Sequence, residues 1–507
     1  MRQPICPKLC HASSHEMSDP CLCSAMLFET SQRHEEALYQ MQGLLLLLLL
    51  LCSNTHSAKG MVEIGAQWIH GPSAENAVFQ LACQHNLLDE KVMSEENQAV
   101  QSDGYPPGRS VFYSSSGKRL GPEITGPAKD LYSCIHLKDQ SKEGLVPSLG
   151  EFLKLQLSQH TRDWKEDEED FKLKLAMFNM HIKLECCLFG SHSLDEVGLE
   201  IVEEYRTLPG IDCVFPGGFS TLIDAMMKSL PENIVSYNKP VKCIHWNGSF
   251  KGSNVMESSY PVLVECENGE MIPADHVIVT VPLGFLKERY ETFFHPQLPS
   301  NKIQSIQKMG FGLNNKIFLE FEEPFWEPEY DMIRLVWEDE SPLVSLRPDL
   351  ENEWFRKISI FLVLQPAEIH GHVLLAVLTG DEAEFSETLS DLEVKTCLTR
   401  MLRRFTGNSS IPLPKNIVRS KWHSEPYTKG SYSYNAVGST GDDIDMIAQP
   451  LPFEPTKAQP LQVLFAGEAT HRTFYSTTHG ALESGWREAD RLIDHYSLIS
   501  VGTSSNP

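Results

Sequence analysis

Leu461-Gln462-Val463-Leu464-Phe465-Ala466-Gly467-Glu468, followed by Thr477-Thr478-His479-Gly480-Ala481, is the stretch that decides the fold class. An unbroken apolar run that ends in glycine and an acid predicts a strand delivering Glu468 at its tip, and Thr477 or Thr478 then opens a helix running to about Ile493. Strand, polar loop and helix in this order are an α/β signature, in which ligands gather at the carboxyl ends of the strands. Working back from it, His276-Val277-Ile278-Val279-Thr280-Val281, stopped by Pro282, predicts a strand buried on both faces. The segments Val262 to Cys266 and Met271 onward flank Asn268-Gly269, a strong hairpin signal. Val235 and Tyr237, then Val241, Cys243 and His245, alternate as a strand should. Ser220 to Leu230, after the Phe215-Pro216-Gly217-Gly218 loop, predicts a helix capped by Ser220 or Thr221. Ile317, Leu319 and Phe321 alternate with Lys316, Phe318 and Glu320 as in a half-buried strand. Phe171, Leu175, Phe178 and Ile182 recur at helical spacing, predicting a helix from about Asp163 to Cys187 with an acidic first turn and Glu185 on its apolar face.

The 507 residues, 41% hydrophobic and 22% charged, suffice for two large cores. A net charge of −25 excludes nucleic acid as a natural partner and favours a cationic substrate. Thirteen cysteines without regular spacing, including the adjacent Cys186-Cys187, read as reduced thiols of a cytoplasmic chain. Cys6, Cys10, His11, His15, Cys21 and Cys23 match no zinc spacing, so no metal is expected. The run Leu44 to Leu51 is far short of the roughly 20 apolar residues of a membrane span. Read from Met41, it resembles the apolar core of a signal peptide without the positive charge that should precede it; untargeted low-complexity sequence fits better.

Five blocks are specific enough to carry a family resemblance. They are Glu63-Ile64-Gly65-Ala66-Gln67-Trp68-Ile69-His70-Gly71-Pro72, Val279-Thr280-Val281-Pro282-Leu283-Gly284, Phe311-Gly312-Leu313-Asn314-Asn315-Lys316-Ile317-Phe318, Tyr427-Thr428-Lys429-Gly430-Ser431-Tyr432-Ser433-Tyr434, and the opening stretch itself. Over about residues 61 to 495 the chain resembles the flavin amine oxidases, and within them the polyamine oxidases that take acetylated substrates.

The resemblance implies a two-domain α/β architecture with non-covalent FAD and oxidation of acetylated spermine or spermidine to a shorter polyamine, an aminoaldehyde and hydrogen peroxide. Lys316 matches the family lysine that holds a water near the reactive flavin nitrogen, and His70 the histidine beside the substrate amine. Read without the resemblance, Lys316 would be a surface lysine and His70 a packing residue. Glu185 and Asp212 are candidates to pair the distal ammonium groups, with Asn314 and Tyr432 also lining the substrate site; the bland alternative has Glu185 ending its helix at the surface. Glu468 would accept hydrogen bonds from flavin chain hydroxyls, and the amides of Thr477 and Thr478 would face the ring or pyrophosphate. Val241 matches the position whose backbone meets the adenine, while Trp68, Trp422 and Tyr427 complete the cofactor set. Ser431 stands where monoamine oxidases carry the cysteine that bonds to flavin.

In domain terms the resemblance implies a low-complexity N-terminus over 1–60, an FAD-binding domain from 61–84, 205–290 and 440–495, a substrate domain from 85–204 and 291–439, and a tail over 496–507. Dioxygen and a polyamine would be its partners, and the chain would act as a monomer. The family pattern also demands a glycine-rich G-x-G-x-x-G turn near the N-terminus, yet the first sixty residues contain only Gly43 and Gly60. Loss of the strand and helix around that turn would bare apolar faces of their neighbours. Lys183 is a second departure, a cation near the substrate tunnel where a small polar residue is expected. Ser505-Asn506-Pro507 is not an S-K-L type peroxisomal address, so cytoplasmic placement is expected, with a peroxisomal one resting on family resemblance. Two other readings stay open: a non-catalytic splice or gene-model variant that binds no flavin and at most pairs with a partner through an exposed sheet edge, and an oxidase of spermine or methylated lysine.

Overall fold

The computed structural model describes residues 8–10, 25–28, 54–56, 61–99, 108–136, 146–162, 168–199, 204–231, 234–251, 259–344, 349–453 and 459–503. The leucine run, the N-terminal cysteine and histidine group (apart from the backbone of Cys10) and the final Ser505-Asn506-Pro507 lie outside them. The architecture is mixed α/β, with two main sheets and helices packed against both.

The opening stretch folds as read. Val463–Phe465 runs parallel to His276–Val279, and both strands are buried on both faces. Helix Thr478–Thr503 follows and is longer than its predicted end at Ile493. Leu464 and Ile278 pack on its Ala489 and Leu492, while Phe465 and Val279 face a second core with Leu283, Phe285 and Ile444. Asn268-Gly269 makes its hairpin between Val262–Cys266 and Met271–Ala274, with Gly269 at φ +83 where a side chain would be strained.

This sheet continues in a way the sequence pattern does not reveal. Its order is Val463–Phe465, His276–Val279, Ala25–Phe28, Lys8–Cys10 and Val235–Ser236. Ala25–Phe28 lies antiparallel to His276–Val279, with Ala25 opposite Val279. Residues 1–60, read as a low-complexity N-terminus, thus supply two strands here and a third, Asn54–His56, paired with Met61–Glu63. Backbone pairing with an open edge requires no side-chain period, which is why periodicity missed these strands. His276–Val279 therefore has a strand on each side.

The second main sheet has seven strands in the order Asn416–Arg419, Asn314–Phe321, His372–Thr379, Ile360–Val363, Met332–Val336, Ser110–Ser114 and Arg119–Leu120. Asn314–Phe321 was expected to be half buried and is not. It lies between two antiparallel neighbours, and Lys316, Phe318 and Glu320 are as buried as the apolar residues between them. Helix Asp391–Thr406 covers one face, contributing Val394, Leu398, Leu402 and Phe405, while on the other Val62 packs against Phe318, Val373 and Leu375 of the sheet.

Two helix ends also differ from expectation. Helix Glu168–Phe189 opens on Glu168, Glu169 and Asp170 as predicted, though its expected start near Asp163 lies outside the described residues. It continues past Glu185, which is buried inside it and does not end it at the surface. Helix Ser220–Met227 is capped by neither Ser220 nor Thr221. Its N-cap is Phe219, whose N–H donates to Glu63 Oε1 at 3.3 Å.

Candidate active site

Strand Trp68–Ile69 pairs antiparallel with Cys213–Val214, Ile69 opposite Cys213, and this register sets His70 beside Asp212. His70 Nδ1 lies 2.6 Å from Asp212 Oδ2, and Asp212 Oδ1 accepts from the Gly71 N–H at 3.0 Å. The histidine side chain is half exposed, while the aspartate side chain is only 4% exposed. Both Asp212 oxygens are therefore engaged on the His70 loop. Asn76 braces it from behind, donating from Nδ2 to the His70 carbonyl at 2.8 Å.

Lys316 lies one pleat from Asn314 on the same strand face. Its Nζ donates to the carbonyls of Glu63 at 3.0 Å and Gly65 at 2.7 Å and to Gln67 Oε1 at 3.1 Å, and sits 5.2 Å from the centre of the Trp68 ring. Burial pushes its pKa down to about 7, with the nearby Glu63 carboxylate opposing the shift. The block from Glu63 to His70 thus wraps the lysine, so the surface alternative for Lys316 does not hold.

Asn314 donates from Nδ2 to the Tyr432 hydroxyl and to the Cys187 carbonyl, both at 2.7 Å, and Tyr432 donates to that carbonyl at 2.8 Å. Burial raises the Tyr432 hydroxyl above its ordinary pKa. Ser431 exchanges two hydrogen bonds with the Asn314 backbone, each at 3.0 Å. Two residues before Cys187, Glu185 is 6% exposed and accepts from the Tyr132 hydroxyl at 3.2 Å. The other departure, Lys183, is neutralised: its Nζ pairs with Glu340 and donates to the Arg356 carbonyl at 2.6 Å.

Glu468 closes the arrangement. It accepts from the Ser433 N–H at 3.1 Å, the Ser433 hydroxyl at 2.6 Å and the Ser476 N–H at 2.5 Å, and burial raises its pKa in spite of these donors. It therefore ties the strand Tyr432–Tyr434 to the start of helix Thr478–Thr503. Thr477 accepts from the Gly480 N–H at 3.0 Å as a cap does, leaving the amides of the first turn at the helix end. A cavity of ≈ 70 Å³ at the carboxyl ends of His276–Val279 and Val463–Phe465 is lined by Val279, Phe311, Ser431, Gly467 and Glu468. A larger groove of ≈ 680 Å³ beside Trp337, Trp354 and Arg400 contains none of these residues.

Trp422 is buried, its N–H donating to Asn315 Oδ1 at 3.2 Å, and Tyr427 packs partly buried against the core of the first sheet. Val241 stands apart from the cluster, in a four-stranded sheet where it pairs with Cys266, though its side chain shares that same core. Sequence reasoning assigned no role to Glu63, Gln67 or Ser433, although each stands inside a quoted block. An acid closing an apolar strand just ahead of the lysine's carbonyl partners was the available signal for Glu63. Among the described residues no group of His, Cys, Asp and Glu could hold a metal, and no helix is long and apolar enough to cross a membrane.

Residues 55–493 match the family model described as flavin containing amine oxidoreductase. The chain is 56% identical over 440 residues to the human protein named peroxisomal N(1)-acetyl-spermine/spermidine oxidase, covering 86% of this chain and 85% of that one. It is 54% identical over 444 residues to the bovine protein of the same name, covering 86% of each. To the probable polyamine oxidase 5 of Arabidopsis thaliana it is 30% identical over 495 residues, covering 86% of this chain and 89% of the relative.

Proposed function

The chain belongs to the flavin containing amine oxidoreductases, and from that premise we propose that it oxidises N1-acetylated spermine and spermidine in polyamine catabolism. It is an oxidoreductase, and its cofactor is FAD. The observation that carries the reading is the buried Lys316, held by the Glu63 and Gly65 carbonyls and Gln67 beside Trp68, where burial pushes its pKa down to about 7.

The residues present fit the flavin half of the cofactor. Glu468 uses three donors where a carboxylate can accept about four, so it retains capacity for a chain hydroxyl. The first-turn amides after Thr477 and Thr478 would meet anionic oxygen, Trp68, Trp422 and Tyr427 would flank the ring, and Ser431 supplies no thiol for a covalent bond. When bound, the flavin accepts a hydride from the carbon beside the amine nitrogen and passes the electrons to dioxygen.

His70 meets the amine, held by Asp212 in one ring orientation. Asp212 thereby acts on His70 and not on a distal ammonium. Glu185, in its apolar setting, pairs a distal cation of the substrate, and Asn314 and Tyr432 shape the same wall. Three acceptors take all three protons of a charged Lys316, so it holds a water by losing a proton or by releasing the Gln67 side chain. Acetylpolyamine, water and dioxygen then give a shorter polyamine, an aminoaldehyde that keeps the acetyl group on its nitrogen, and hydrogen peroxide.

We further propose the two-part organisation in which 61–84, 205–290 and 440–495 hold FAD, with Val241 toward the adenine, and 85–204 and 291–439 hold substrate; the separate cores of the two main sheets support it. A monomer in the cytoplasm completes the reading, with peroxisomal residence, named for both mammalian relatives, as the rival that density-gradient fractionation separates. A second reading, a protein that does not retain FAD, is favoured by one observation. Where the family places a glycine cradle, the antiparallel strand Ala25–Phe28 stands, and no G-x-G-x-x-G occurs in the sequence.

The test is the absorbance of purified protein together with peroxide release from N1-acetylspermine, spermine and a methyl-lysine peptide. Yellow protein turning over acetylspermine fastest is expected. Colourless folded protein would hand the case to the second reading, and equal rates on all three substrates would remove the substrate assignment.

A further inference from the structure

Glu63 carries a chemistry that the reaction above does not use. It closes the strand Met61–Glu63, is 9% exposed, and gives its carbonyl to Lys316. Its carboxylate is served on one side only. Oε1 accepts from the Phe219 N–H at the start of helix Ser220–Met227, while Oε2 is buried and has no hydrogen-bond partner among the described residues. A buried oxygen without a donor makes the charged form costly, and a proton relieves that cost.

Among the described residues, the surroundings contain little else that titrates. Opposite Lys316 stands Val377, and its own N–H goes to Ser420 Oγ at 2.8 Å. Arg419, opposite Ile317 on the neighbouring strand, is paired with Asp391 at 2.7 Å. Strand Asn54–His56 places Asn54 opposite Glu63 and His56 opposite Met61. The helix beyond Phe219 contributes Asp224, which is exposed. Glu63 is thus the charge acting on Lys316, and Lys316 the charge acting on Glu63.

We propose that Glu63 is a positioning residue for Lys316, the buried acid whose charge decides when that lysine carries its proton, so that the two side chains titrate as one unit beside the flavin. The inference rests on the reading of Lys316 given above. Burial raises Glu63 to about 7 and lowers Lys316 to about 7, so near neutrality one proton passes between a doubly charged and a doubly neutral pair at little cost. Moving that proton within the pair leaves no unpaired charge in the buried site.

Competitive acetylation with acetic anhydride, followed by mass spectrometry of the Lys316 peptide across pH, reads the fraction of free amine with or without flavin. The buried Lys302, held by the carbonyls of Met446, Ile447 and Gln449, is the internal control for folding. In the parent the Lys316 midpoint should lie near 7. Glu63→Gln should move it down by about 1 pH unit, the ordinary effect of removing a nearby opposite charge, with the Lys302 profile unchanged. An unchanged Lys316 midpoint in that variant overturns the proposal. If Glu63→Gln exposes Lys302, Glu63→Asp carries the test: a smaller downward shift supports the pair, and none overturns it. Should the midpoint move while Lys316→Met leaves flavin reoxidation intact, the coupled pair stands and the role given to Lys316 falls.

Discussion

Lys316 is wrapped by three carbonyl-type acceptors and a tryptophan face, and has thereby exchanged water for fixed dipoles. Lys316→Met should slow reoxidation of the reduced flavin by about 100-fold, the lower range for loss of a proton-handling group, and leave substrate affinity nearly unchanged; stopped-flow mixing with dioxygen checks both. The same variant has a pH signature in stability. Lys316 binds a proton less readily folded than unfolded, so between pH 7 and its ordinary 10.5 the unfolded chain holds more protons and stability rises with pH. The gain in melting temperature from Lys316→Met should therefore be largest near pH 7 and vanish toward pH 10, by calorimetry of flavin-free protein. Asp212→Asn keeps the shape of the His70 partner but removes its charge. A drop in kcat/KM of about 10-fold or more is expected, as for a misplaced orienting group, and steady-state peroxide release reads it; an unchanged value would return Asp212 to the role of a distal cation partner.

Elements matter here mainly through their ends. Trp68–Ile69 is two residues long, yet its register with Cys213–Val214 is what joins His70 to Asp212 across 142 positions of sequence. Helix Thr478–Thr503 begins where Glu468 holds the Ser476 N–H, and it begins tightly. A Cβ on Gly480 would lie 2.0 Å from the Phe474 carbonyl oxygen, so Gly480→Ala must push the helix start away from Glu468. Overpacking of this kind costs about 1–3 kcal/mol. Both a lower melting temperature and weaker flavin retention should follow, and normal retention in a destabilised variant would separate the helix end from cofactor binding.

At the scale of the whole molecule, the question is how an α/β sheet receives a dinucleotide when its central neighbour runs antiparallel. Ala25–Phe28 repairs the apolar edge of His276–Val279 but presents the start of a strand, not a glycine turn, at the ligand end. Titration of FAD into flavin-free protein should give a saturable change in flavin fluorescence, carried by Glu468, Lys316 and the helix start; its absence would end the case for a working oxidase. The charge of −25 adds a salt dependence, since long-range attraction of a cationic substrate weakens as ions screen it.

Much of this was present in the linear pattern. Period-two and period-3.6 spacing, Asn268-Gly269 and the apolar run ending at Glu468 belong to local geometry, which neighbouring residues dictate by themselves. The motif blocks likewise name Lys316, His70 and Glu468, because the chemistry needs those side-chain types. Contacts made across long separations are another matter. That Asp212 grips His70, that Glu340 neutralises Lys183, that Lys316 is buried on a strand with both faces covered, and that Glu63 leaves one oxygen without a donor all follow from packing and register between distant segments. The sequence by itself determined the kind of fold, since that is written in local spacing and residue type, and its family resemblance pointed to Lys316, His70 and Glu468. Only the tertiary structure decided which charges meet and which lose their water, because desolvation and pairing depend on what the rest of the chain brings alongside.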